Sequence, residues 1–142
     1  MNNRLLIVGV CLVLLASACT KSTSITPSTD IIDTSTATLK YHGTFQNGPY
    51  GTVSGTAAVY QTGSKLQLKL SNFNTTNGPD LKVYLSKEIQ PVSFISLGDL
   101  KSTSGNQVYD IIRNPDFTQY KYALIHCEQY NHLFGVAQLM MR

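Results

Sequence analysis

The stretch Lys65-Leu66-Gln67-Leu68-Lys69-Leu70 alternates strictly between apolar and polar residues. Side chains on a strand point alternately to its two faces, so this segment reads as a half-buried β-strand with three leucines inward and Lys65, Gln67 and Lys69 outward. Similar runs flank it at 40–45, 55–61, 81–86, 94–100, 107–112, 120–127 and 133–140. Turn signals separate them: Asn47-Gly48-Pro49, Thr62-Gly63-Ser64, Asn77-Gly78-Pro79-Asp80, Ser104-Gly105-Asn106 and Asn114-Pro115-Asp116. No amphipathic pattern of helix length interrupts the series. Short strands at this spacing predict an all-β domain, a single antiparallel β-sandwich or flattened barrel of about eight strands. Alternation and residue type nominate as core Phe45, Leu66, Leu68, Leu70, Phe73, Leu81, Val83, Leu85, Ile95, Leu97, Ile111, Ile125, Phe134 and Val136.

Upstream of the strands the character of the chain changes twice. Arg4 precedes the apolar run from Leu5 to Leu15, which is too short to span a bilayer and fits the core of a secretory signal. Leu15-Ala16-Ser17-Ala18-Cys19 resembles the lipobox of bacterial lipoproteins, with Ala16 where leucine is commoner. The expected organisation is a signal peptide over residues 1–18, an acylated Cys19 with a Ser/Thr-rich tether over 19–38, and a β domain over 39–142. With more than one acyl chain, at about 0.8 kcal/mol per buried methylene, such a protein is held at a membrane without spanning it. Thr20 stands where the enterobacterial sorting pattern places the Asp that retains lipoproteins, so the expected address is the cell envelope, at the outer membrane. Residues 20–38 carry too little apolar surface to offset chain entropy, and read as a free tether with a reach of roughly 60 Å at about 3.3 Å per residue.

Composition excludes several function classes. Loss of Arg4 with the signal leaves ten of the eleven basic side chains against eight acidic ones, dispersed along the chain, for a net charge of +2. No basic stripe is present, which argues against a nucleic-acid partner. Eight tyrosines and no tryptophan fit a strand-rich domain. Paired carboxylates, a Ser-His-Asp pattern, a phosphate loop and an acidic calcium loop are all lacking, so hydrolase activity is disfavoured. Gly78-Pro79-Asp80 reads as turn chemistry.

Cys127 is what remains for chemistry. Cys11 lies in the signal and Cys19 at the cleavage site, which leaves Cys127 as the lone mature thiol. It is a buried small hydrophobe, a reactive thiol, or a ligand. One cysteine rules out dithiol exchange within the chain, whereas a sulfenic acid, a mixed disulfide or metal ligation stays open. Cys127 with His132, His42 and Met140 matches the ligand types of a copper centre. A noncovalent haem is a further option, covalent attachment being excluded for want of a Cys-x-x-Cys-His motif. A different class of function is a non-enzymatic envelope domain presenting Tyr41, Tyr50, Tyr120 and Tyr130 to a glycan or protein partner.

Several motifs in order resemble the DM-thirteen domain, also called the electron-transfer DM-thirteen family. They are Gly43-Thr44-Phe45, Gly55-Thr56-Ala57, Leu68 to Phe73, Gly78 to Leu85, Leu97 to Lys101, Gly105 to Tyr109, Ala123 to Cys127 and Phe134 to Ala137. The resemblance covers essentially the whole folded part. It implies a redox role for the family's signature cysteine, which falls on Cys127, acting as a bare thiol or through a bound group such as haem. His126 departs from the family pattern, which usually has an aromatic residue, commonly tryptophan, at that position. On a regular strand His126 and Cys127 face opposite ways, so the two do not share a pocket unless the strand bulges between them. The resulting expectation is a membrane-anchored redox module acting through Cys127.

Overall fold

The computed structural model describes residues 23–142. Residues 1–22, with the expected signal peptide and Cys19, lie outside the described residues. Ten strands follow in order: β1 (Ser28–Thr29), β2 (Thr38–Asn47), β3 (Val53–Thr62), β4 (Lys65–Thr75), β5 (Leu81–Ser86), β6 (Phe94–Asp99), β7 (Ser104–Ile111), β8 (Tyr122–Cys127), β9 (His132–Gln138) and β10 (Met140–Met141). The eight runs read from alternation correspond to β2 through β9. They form one curled sheet in the order β1-β7-β4-β3-β2-β9-β8-β5-β6, with β10 added to β2, closing into a half-barrel. Every pairing is antiparallel except that of β1 with β7, so the sheet is mixed by one short strand.

The concave face holds the core. Phe45, Leu68, Leu70, Phe73, Leu81, Val83, Leu85, Ile111, Ile125 and Phe134 are buried in one cluster, as alternation predicts, and Leu66, Ile95 and Leu97 pack against it partly buried. Val136 is a correction: it packs on the opposite face, against a second cluster of Tyr84, Leu124 and Leu133. The cause is a bulge. Ile125 pairs with Gly135 and His126 with Leu133, which leaves Phe134 as an extra residue in β9 and breaks the two-residue period there. Gly135 faces inward beside the bulge, where a Cβ would stand 2.5 Å from a Val53 methyl.

The Ser/Thr-rich segment differs from the expected free tether over residues 24–30. Ser24 bridges to Ser102, and Ser28 and Thr29 pair in parallel with Gly105 and Asn106. The Ser102 hydroxyl donates to the Thr26 carbonyl at 2.5 Å, Lys101 Nζ lies 2.6 Å from Asp30 Oδ2, and the Val108 amide donates to the same oxygen. Composition missed this because a polar segment needs little apolar burial when the open edge of β7 supplies backbone partners. Gly105 permits the approach: its φ is +93°, and a Cβ there would stand 2.1 Å from the Ser28 carbonyl oxygen.

Candidate functional site

At one end of the half-barrel β2, β4, β6 and β8 finish and β3, β5, β7 and β9 begin. The connections at this end are therefore residues 48–52, 76–80, 100–103 and 128–131. Backbone bonds tie them together: the Glu128 amide donates to the Asp80 carbonyl at 2.9 Å and the Leu100 amide to the Leu81 carbonyl at 2.8 Å.

Cys127 ends β8 at this rim. Its Cα partners are Leu81 on β5 and His132 on β9, and the residue is 0% exposed within the main core cluster. It is the one free cysteine among the described residues. At 0% exposure its sulfur is out of reach of a bulky reactant in the folded state, and the 128–131 turn follows it directly. Asn131, with φ of +53°, gives that turn its left-handed corner.

His126 faces the other side of the sheet, as strand alternation requires; the bulge on β9 does not bring it round to the thiol. It is 2% exposed. Its Nε2 lies 3.1 Å from Asn131 Oδ1, its ring centroid is 5.6 Å from that of Tyr84, and Nδ1 has no hydrogen-bond partner. Burial pushes the imidazole below the usual histidine range, only partly opposed by the Asn131 contact and the Glu128 charge. His126 is thus a neutral ring filling an aromatic position.

Beside it, Lys82 pairs across the ladder with His126 and is 8% exposed. Its ammonium contacts Asp80 Oδ1 at 2.7 Å, Asp99 Oδ1, and Glu128 Oε2 at 3.8 Å. The Asp80 and Asp99 hydrogen bonds hold it protonated well above the ordinary lysine range. Tyr84, stacked on Phe94 at 4.3 Å, has its hydroxyl pushed up to about 12 by burial first and by the Glu128 charge second. Lys82 and Tyr84 escaped the sequence reading because a lysine and a tyrosine alternating with Leu81, Val83 and Leu85 look solvent-facing. The hint lay in Asp80, Asp99 and Glu128, each at or next to a strand end, but only the pairing of β5 with both β6 and β8 brings them to one lysine.

The metal candidates separate. Cys127 and His132 meet across one ladder position, but His42 is exposed and pairs with Met140. The register along β9 and β10 puts that second pair roughly 25 Å from His132 at about 3.3 Å per residue. Among the described residues no three His, Cys, Asp or Glu side chains gather as a metal site. The residues therefore do not fit a copper centre of the expected set. Nor does a sulfur packed at 0% exposure among core side chains leave a face for a haem ring.

His132 instead stacks on Tyr50, with ring centroids 3.6 Å apart and 3° between planes, and Tyr130 approaches it at 5.8 Å. Tyr50 and Tyr130 are exposed and share the rim with Cys127. Tyr41 stacks on Phe117 and Tyr120 lies under the Lys87 ammonium, both half-buried.

The family model described as Electron transfer DM13 matches residues 44–139, from β2 through the residue after β9. No curated protein and no solved structure matches the chain. The matched span takes in Cys127 and every strand from β3 to β9, and the chain accordingly belongs to the Electron transfer DM13 family, its β domain being a module of redox or electron-transfer type.

Proposed function

We propose that the protein is a lipid-anchored redox module of the cell envelope, held at the outer membrane through Cys19, in which Cys127 is a sheltered thiol. The observation that carries this reading is the position of Cys127: the one free cysteine among the described residues, buried at the last residue of β8 and immediately followed by the four-residue connection 128–131. A sulfur in mid-strand is released only by unfolding of the sheet, whereas one at a strand end beside a turn is reached by local fraying. Opening exposes the sulfur to a small hydroperoxide. The sulfur takes one oxygen as the O–O bond breaks, giving Cys127 sulfenic acid and the corresponding alcohol or water. Reclosure then shields the oxidised sulfur from further oxidant. No thiol or metal partner within the described residues is needed for that step.

The test is trapping with dimedone after mild peroxide treatment of the folded protein, read by peptide mass. An adduct confined to the Cys127 peptide, absent in Cys127→Ser, is expected under conditions where the circular dichroism spectrum is unchanged. A thiol that reacts only in urea would mark Cys127 as a packing residue and remove the proposal.

A further inference from the structure

The structure assigns the Cys127 end of the half-barrel to the lipid side of the molecule. This rests on the anchoring at Cys19 proposed above, and on where the chain joins the domain. The first bridged residue, Ser24, meets Ser102 in the connection at the Cys127 end. From there the chain runs parallel to β7, so it leads away from the anchor towards the far end. Five residue steps separate Cys19 from Ser24. Fully extended they cover at most about 18 Å. Ile112, just past the far end of β7, lies eight residues beyond Ser104, roughly 26 Å further at about 3.3 Å per strand residue. That maximum span from Cys19 to Ser24 is shorter than the domain is long. The anchor can therefore bring the Ser102 end to the bilayer but not the Ile112 end.

The rim so placed fits a lipid surface in its chemistry. Tyr50 and Tyr130, both exposed around the His132 ring, are of the type that settles at the headgroup level with the ring apolar and the hydroxyl wet. The carboxylates around Lys82 exceed its single charge, so contact is made by rings and anchor rather than by attraction to anionic lipid. The occupant of this face is a zwitterionic bilayer surface.

Absence of tryptophan makes the test clean. Single-tryptophan variants Tyr130→Trp and Ile112→Trp of the acylated full chain are bound to phosphatidylcholine vesicles bearing dansyl headgroups, and energy transfer is measured. Both positions are exposed, at 57% and 97%, so folding is spared. Transfer from Tyr130→Trp is expected to exceed that from Ile112→Trp at least threefold. Equal or reversed transfer in protein that floats with the vesicles would overturn the orientation and leave the anchoring intact. Protein that fails to float would remove the anchoring and this inference together. Inserting fifteen Gly/Ser residues between Lys21 and Ser22 is expected to shrink the difference; an unchanged ratio would show that tether length does not set the orientation, against the inference.

Discussion

Replacing His126 by Phe probes the one buried side-chain nitrogen or oxygen without a hydrogen-bond partner among the described residues. With Asn131 Oδ1 accepting from Nε2–H, Nδ1 carries a bare lone pair in a residue 2% exposed. Folding therefore opposes protonation, and burial lowers the imidazole pKa from its ordinary 6.5. The unfolded chain then binds more protons than the folded one as pH falls through 6.5. Stability attributable to His126 is whole above that value and drains away on acidification towards the lowered folded pKa. One proton limits the slope to about 1.4 kcal/mol per pH unit. Over the step from pH 6.5 to 5.5 the loss is bounded near 1 kcal/mol, about 4 °C of melting temperature for a domain of this size. In His126→Phe that acid limb disappears. At pH 7.5 the loss of the Asn131 hydrogen bond, about 1 kcal/mol, is offset by relief of the unpaired acceptor, about 1–3 kcal/mol, so the variant equals or exceeds the parent. Thermal unfolding of both proteins at pH 7.5, 6.5 and 5.5 decides the matter. An identical acid slope in the two would refute the assignment of a buried, neutral His126.

Asn131→Gly keeps the left-handed corner but removes the bond to His126; at about 1 kcal/mol this should speed maleimide labelling of Cys127 roughly fivefold, measured by mass spectrometry in native buffer. Cys127→Ser buries a hydroxyl in the core and should cost about 1–3 kcal/mol in urea unfolding, with Cys127→Ala milder. Lys82→Met leaves Asp80, Asp99 and Glu128 facing one another. Because their side chains are 26%, 56% and 60% exposed, solvent screens the repulsion and the expected loss is only about 1–2 kcal/mol by urea midpoint. Gly105→Ala drives a Cβ into the Ser28 carbonyl and should release residues 24–30, seen as accelerated hydrogen exchange there while β3 and β4 stay protected.

The alternation in Lys65–Leu70 revealed the strand because both its faces obey the two-residue period. The same logic placed all eight long strands and ten of the fourteen nominated core residues in the main cluster. It failed at Val136, where the extra residue Phe134 resets the period and no local signal marks the bulge. It also failed at Ser24–Asp30, whose order comes from an edge seventy-odd residues later in the chain. Around the candidate site, the inward facing of Cys127 with Ala123 and Ile125 and the opposite facing of His126 were legible from strand parity. The Lys82 cluster was not, since it depends on β5 lying between β6 and β8, a neighbour relation that the sequence order of the strands does not state.

The β1–β7 pairing also bears on how the protein keeps to itself. β7 is the terminal long strand on its side of an open sheet, and an uncovered strand of that kind is a template for another chain. Ser28 and Thr29 occupy part of it, and Asp30 takes the Val108 amide beyond them. Under the proposed anchoring at Cys19, the segment that shortens the leash is the same one that guards against strand exchange between neighbouring copies. Evolution of a longer reach would strip that guard, so reach and solitude are coupled in this fold through a handful of residues.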